Sequence, residues 1–486
     1  MSDLSLRGAC ELAALIRKRE ISSRELTDHY LSRIDELNPK LNAVVTLDSD
    51  RARKRAGEAD KALARGESWG PLHGLPITVK DTFETAGIRT TAGAPMLSGH
   101  VPNADAVSVA RLRAAGAVLL GKSNTPLFAG DGQTYNAIFG TTNNPWDLTR
   151  SPGGSSGGAA AAIAAGLSAL ELGSDIGGSI RSPAHCCGVY GIKPTHGIVP
   201  LRGHIPGPPG ALAEADIGVA GPIARCADDL DLALSVLAGP ADERKIAWRL
   251  ELPPPRKSAL REYRVAAWLD DPVAPVDCEV RAPLEAALDS LRRAGVRIDD
   301  RARPDIDFTR ALRTYVRLLM PLMTSGMPPE QFAELSKQAD SAPADSTDPA
   351  VAMAQAITLR HRDWLAMHED RERFRLIWAS FFRDYDVLLC PPMAVAAIAH
   401  DHSEPMEART IPVNGVPHPY FSALIAWAGL IGMAYLPSTC APVGATAGGL
   451  PVGVQVVGPY LEDRTTIDFA RKLGELVGGF KRPPGY

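Results

Sequence analysis

Residues 151–181 read SPGGSSGGAAAAIAAGLSALELGSDIGGSIR, and this stretch decides the fold. Two glycine-flanked serines, Ser155 and Ser179, lie near its two ends. Between them Ala159, Ala160, Ala161, Ala162, Ala164 and Ala165 favour a helix, Gly157 and Gly158 let its start approach other backbone, and Gly166 can end it. The order predicted is loop, helix, then buried strand. A run such as Ile176-Gly177-Gly178-Ser179 can turn several N–H groups toward one point, because glycine accepts backbone angles closed to other residues. A serine ending such a run places its hydroxyl beside donors that would stabilise the charge formed when it attacks a carbonyl.

Outward from this stretch, strands and helices alternate. Residues 4–38 read as two helices, with Ser22 or Ser23 as N-cap, Leu26, Tyr30, Ile34 and Leu37 at helical spacing, and Pro39 as the stop. A charged helix covers 50–64, and a buried strand over 72–81 delivers Lys80 to its end. A helix at 105–115, a strand at 118–120 and a strand at 170–172 continue the alternation. Composition shifts to Gly and Pro at 201–210 and again at 253–255, with a helix at 228–237 between. A strand at 264–268, a helix at 280–294, a strand at 387–390, the apolar Gly-interrupted 423–434, a strand at 452–457 and a helix at 465–476 complete the pattern. Such alternation predicts an α/β fold with a large mixed central β-sheet covered by helices on both faces.

The 486-residue chain is long enough for a substantial core, with 45% hydrophobic and 22% charged residues. A formal charge of −4 gives no electrostatic reason to expect nucleic acid or an anionic membrane as partner. Residues 1–20 lack the apolar core of a signal peptide, and 421–435 is too short and glycine-broken to span a bilayer, so a cytoplasmic location is expected. Seven cysteines, including adjacent Cys186 and Cys187, show no paired metal-ligand spacing and read as reduced, mostly buried thiols.

The motifs at 153–158, at 174–181 (SDIGGSIR) and at 191–195 (GIKPT) resemble those of the amidase signature family. The likeness extends to 74–81 (GLPITVKD), 121–124 (GKSN) and 449–455 (GLPVGVQ), and so over most of the chain. The resemblance implies an amidase unit at 71–486 with an N-terminal helical segment, 1–70, packed on it, and a divergent, mostly helical insertion at about 309–383 broken by the polar stretch 340–348.

It also implies the chemistry. Ser179 would be the nucleophile, Lys80 the general base and Ser155 the proton relay between them, with Ser155 following a cis peptide bond. The N–H groups of Ile176, Gly177, Gly178 and Ser179 would bind the oxyanion. An amine acts as a base only when neutral, so burial by the apolar strand must pull Lys80 down from about 10.4 toward neutrality. An ion pair with Asp81 is the structural alternative, and Lys122 is expected to pack nearby without the base role. Asp175 and Arg181 would support the nucleophile loop. His185, Cys186 and Cys187 would pack beneath it, since no nucleophile-elbow motif accompanies the histidine. Read without the resemblance, 153–158 equally suits a phosphate-binding loop, although it lacks the lysine-serine ending of a P-loop. No metal or cofactor is called for.

Substrate expectations rest on the loop after Asn124. Many relatives carry glutamate where this chain has Leu127, which predicts a more apolar wall from Phe128, Ala129, Gly130 and Tyr135, with Asp131 capping a turn or, as the alternative, orienting an amine. The resulting expectation is a stand-alone amidase acting on a small apolar or aromatic amide through an acyl-serine. Its partners would be a small-molecule amide or carbamate, without nucleic acid or membrane, and a homodimer is compatible with it. Two alternatives use the same machinery: a urethanase or ester hydrolase, and the glutamine-hydrolysing subunit of a transfer-RNA-dependent amidotransferase.

Overall fold

The computed structural model describes residues 4–205, 207–343, 346 and 348–486. The Gly/Pro stretch at 201–210 and the polar break at 340–348 thus fall partly outside the described residues.

The first part of the chain builds one edge of a sheet. Helices α1 (Ala9–Arg17) and α2 (Ser23–Leu41) precede strand β1 (Val44–Leu47) and α3 (Ser49–Ala64). Ser22 caps α2 through a capping box with Glu25. Pro39 does not stop α2, which runs to Leu41. A proline this near the end removes one helical bond only, and the turn is closed instead by Asn42 in the left-handed region and by the Asn38 amide, which accepts from Ala43 and Val44. The 1–70 segment is therefore not helical alone, since β1 is the edge strand of the main sheet. Then come β2 (Pro76–Lys80), α4 (Val107–Ala114), β3 (Val118–Ser123), the short hairpin β4 (Tyr135–Asn136) and β5 (Gly140–Thr141), α5 (Gly157–Ala164), β6 (Glu171–Asp175) and α6 (Arg181–Cys187).

The remainder adds β7 (Tyr190–Lys193), β8 (Val219–Ala224), α7 (Ala227–Leu237), β9 (Arg264–Ala267), α8 (Cys278–Arg293) and β10 (Arg297–Asp299). Four helices, α9 (Phe308–Met323), α10 (Pro329–Asp340), α11 (Pro349–Ile357) and α12 (His361–Asp384), form the 309–383 region. Strand β11 (Val387–Cys390), the hairpin β12 (Thr410–Val413) and β13 (Val416–Pro419), α13 (Tyr420–Met433), β14 (Ser438–Ala445), β15 (Pro451–Val457) and α14 (Asp463–Val477) follow. The apolar stretch at 423–434 is thus a buried helix.

Eleven strands join in one mixed sheet, ordered β1-β3-β2-β6-β8-β7-β14-β15-β11-β9-β10. Pairing is parallel for β2 with β3 and β6, antiparallel for β6, β8, β7, β14, β15 and β11 in succession, and parallel again for β11, β9 and β10. Helix α5 explains its own composition: every residue is buried, and a side chain at Gly158 would meet the Asn124 backbone N at 2.4 Å. Only small residues let this helix lie so close to the sheet. That contact fixes where Ser155, just before the helix, stands.

Candidate active site

Strand β2 is buried along its whole length, so Lys80 leaves its end into an enclosed space. Lys80 Nζ donates to Ser155 Oγ at 2.7 Å and to Ser174 Oγ at 3.0 Å. Burial lowers its pKa to about 7, against the opposing pull of Asp175 and Glu171. Asp81 does not pair with it; its Oδ2 accepts from the Thr91 N–H at 3.0 Å and hydroxyl at 2.6 Å. Lys122 is engaged elsewhere, donating to the Phe83 carbonyl, Thr85 Oγ1 at 2.9 Å and Thr90 Oγ1 at 3.2 Å.

The Gly154–Ser155 peptide is cis. Gly154 has no room for a side chain, because a Cβ there would lie 2.5 Å from the Asp131 carbonyl and 2.7 Å from the Gln133 nitrogen. Thr134 Oγ1 ties this loop at both ends, donating to the Gly153 carbonyl at 2.9 Å and accepting from the Gly157 N–H at 3.1 Å.

The loop between β6 and α6 carries Ser179. Asp175 holds it from below, accepting from the N–H groups of Gly178 at 2.8 Å, Ile180 at 3.0 Å and Arg181 at 3.3 Å, and from the Arg181 guanidinium at 3.0 and 2.8 Å. Burial alone would raise this carboxyl, but the Arg181 charge and these bonds outweigh it and hold it well below the usual carboxylate range. Arg181 completes its fork on the Ala428 carbonyl and Gln455 Oε1, each at 3.0 Å. The Gly178 N–H is therefore spent on Asp175, which removes it from the expected oxyanion set. Among the described residues, the N–H groups of Ile176, Gly177 and Ser179 have no protein acceptor. Ser179 itself is half-buried at the edge of a cavity.

That cavity measures about 240 Å³, and Ser155, Ser174 and Ser179 all line it. The lining also includes apolar Phe128, Ala129, Leu322 and Met323 and polar Glu214 and His204. Burial pushes His204 down to about 3, so its ring is neutral. Gly130 and Tyr135 are not brought into the wall. A side chain at Gly130 would meet the Leu127 carbonyl at 3.2 Å and Met323 Cε at 3.8 Å, and the Tyr135 hydroxyl accepts from Arg409 at 2.9 Å while its ring stacks on His402 at 3.7 Å. Asp131 does hold a turn, accepting from the Gln133 N–H at 3.1 Å, and it also pairs with the buried Arg409 at 2.8 Å and accepts from Tyr420 at 2.5 Å. His185 is buried under the loop; Gly453 N–H donates to its Nδ1 at 2.9 Å and burial pushes it down to about 4. Glu214, Leu322 and Met323 escaped sequence reasoning because they come from segments remote in the chain. The Gly/Pro-rich composition at 201–210 marked a loop but not what it faces.

A model of the family described as Amidase matches residues 25–467. The chain belongs to the amidase signature family. It is a hydrolase acting on carbon–nitrogen bonds. It is 32% identical to one subunit of the glutamyl-tRNA(Gln) amidotransferase of Geobacillus thermodenitrificans, with 98% of each chain covered. The corresponding chain of Anaeromyxobacter dehalogenans, of the same name, is 34% identical over 99% of this chain and 98% of its own. A solved bacterial aryl acylamidase superposes with a TM-score of 0.79 at 26% identity, covering 97% of this chain and 96% of that one.

The two amidotransferase relatives overturn the expectation of a stand-alone hydrolase of apolar or aromatic amides, and with it a partner set of small molecules without nucleic acid. They are by name one part of an assembly and their name contains a charged tRNA. The inference from Leu127 fails physically, because that side chain is 50% exposed and lies outside the cavity wall, so its polarity does not set the pocket's. Net charge was no guide either, since it averages over the whole surface and does not decide what binds at any one part of it. Among the described residues no helix is long and apolar enough to cross a membrane, and no group of three or more His, Cys, Asp or Glu side chains could hold a metal ion.

Proposed function

We propose that this chain is the amide-hydrolysing subunit of a transfer-RNA-dependent amidotransferase, releasing ammonia from the side-chain amide of glutamine. The observation that carries the reading is end-to-end similarity, at 32–34% identity, to chains named as part of that enzyme. The similarity runs over 98–99% of the chain, so it is not confined to the serine loops.

In this reading Ser179 Oγ attacks the amide carbon while its proton passes through Ser155 to the neutral Lys80 amine. The oxyanion is bound by the N–H groups of Ile176, Gly177 and Ser179. Lys80, again through Ser155, returns the proton to the departing nitrogen, ammonia leaves, and water cleaves the acyl-serine to give glutamate. A buried amine near neutrality suits both directions of transfer, because it takes and gives a proton with little free-energy change. Among the lining residues, apolar Leu322 and Met323 suit the two methylenes of glutamine, and the Glu214 carboxylate suits its ammonium.

The test is ammonia release from glutamine by the purified chain, alone and after co-expression with neighbouring-gene products that co-purify with it. Glutaminase activity that rises when partner chains and charged tRNA are added supports the reading. Full activity on simple anilides, with none on glutamine in either preparation, refutes it.

A further inference from the structure

Helix α9 carries a tyrosine that the mechanism above does not use. Tyr315 is fully buried, and its hydroxyl donates to the Ile176 carbonyl at 3.1 Å, across 139 positions of the chain. Burial raises this hydroxyl above the usual phenol range, so it keeps its proton and remains a donor. Among the described residues no other group donates to that carbonyl.

Two glycines make room for the ring and its hydroxyl. A side chain at Gly429, on the glycine-interrupted helix α13, would lie 2.3 Å from Tyr315 Cε1, and one at Gly177 would lie 2.6 Å from the hydroxyl oxygen. A side chain at Gly432, also on α13, would come within 3.6 Å of the Ile176 carbonyl oxygen. That oxygen therefore faces α9 and α13, and both glycines that break the apolar run at 423–434 border the contact.

Peptide geometry sets the consequence. The Ile176–Gly177 peptide is trans, and in a planar trans peptide the C=O of one residue and the N–H of the next point in opposite directions. With the Ile176 oxygen held toward Tyr315, the Gly177 N–H points the other way, and among the described residues no protein acceptor takes it. Asp175 anchors the loop one peptide further on, at the Gly178 N–H. Ile176 and Ser179, on either side of Gly177 in the chain, both line the cavity.

We propose that Tyr315 is a positioning residue for the oxyanion site: its bond to the Ile176 carbonyl fixes the 176–177 peptide so that the Gly177 N–H is presented to the carbonyl oxygen under attack. The inference rests on the acyl-transfer reading of the Ser179 loop given above. Without the bond the peptide is free to rotate and the donor spends part of its time out of the site. The oxyanion forms along the reaction and not in bound substrate, so the loss falls on kcat rather than on KM.

Tyr315→Phe removes one oxygen and keeps the ring. Its kcat should fall about tenfold or more, a part of the roughly 100-fold cost of deleting a donor outright, with KM held within about threefold. Both are measured on whichever of glutamine and a simple anilide the wild type cleaves. The oxyanion is common to the two, so failure of the glutamine reading leaves this test intact. The peptide itself is followed by NMR in protein labelled with 13C at isoleucine carbonyls and 15N at glycine. Only Ile-Gly peptides then give a carbonyl-to-amide correlation, and these lie at 176–177, 217–218 and 431–432; Ile176→Val removes the first and so assigns it. Gly429→Ala, which pushes the ring from its seat and keeps the hydroxyl, should act in the same direction and serves if the first variant folds poorly. Phe308→Leu loosens the first residue of the same helix without touching the hydroxyl and should leave kcat within about threefold. A displaced 176–177 signal in Tyr315→Phe, with a fall in kcat at nearly constant KM, supports the inference. An unmoved signal, a moved signal with kcat unchanged, or an equal fall in Phe308→Leu overturns it.

Discussion

Asp175→Asn is the most informative perturbation of the nucleophile loop. The side chain is fully buried and accepts five bonds, three from backbone N–H groups on both sides of Ser179 and two from Arg181. Asparagine fills the same volume, but it has one acceptor oxygen and turns N–H groups toward a guanidinium that is itself 0% exposed. Removing one partner of a buried pair and leaving the other charge uncompensated costs about 3–5 kcal/mol. The two remaining bonds of Arg181, to Ala428 and Gln455, are to neutral acceptors and cannot offset this. The backbone held at Gly178 and Ile180 is the same backbone that aims the free N–H groups, so loss of its anchor should cost on the order of 100-fold in kcat, comparable to loss of one oxyanion donor. Chemical denaturation monitored by fluorescence gives the stability change, and steady-state ammonia release gives kcat and KM. A folded variant that loses less than about 1 kcal/mol and keeps kcat within threefold would refute the view that this buried pair shapes the loop.

Two further outcomes follow from the same geometry. On the proposal that Lys80 is the base it must be neutral to act, and its pKa is lowered to about 7, so kcat/KM should rise with pH through about 7 and level off above; a limb centred near the ordinary lysine value would show that burial does not tune it. Met323→Ala trims the apolar side of the cavity without touching the serines, so KM should rise about tenfold with kcat little changed, measured with glutamine; a fall in kcat at constant KM would place Met323 in the chemical step instead.

The stretch 151–181 was legible because its local signals agree. Alanines make α5, Gly166 with φ of 69° ends it, and β6 follows as a buried strand. The distance between Lys80 and Ser155 was not legible from spacing, since 75 positions separate them; it arises from β2 lying beside β6 with α5 packed over both. The four-donor oxyanion set looked right in sequence because glycines cannot announce which N–H groups are already engaged, and Asp175 takes that of Gly178. Tyr135 read as pocket lining because it lies in the right loop, but the partner that turns it away, Arg409, is 274 positions distant. Leu127 misled for the opposite reason, an apolar residue that faces water.

The central claim is that Ser179 carries the acyl group. Wild type and Ser179→Ala are mixed with glutamine, in the preparation that releases ammonia, quenched in acid during turnover and analysed by intact mass and peptide mapping. A γ-glutamyl adduct on the peptide containing Ser179 in wild type, absent from the alanine variant together with ammonia release, is the predicted result. Ammonia release by Ser179→Ala at the wild-type rate, or an adduct on any other residue, would contradict it.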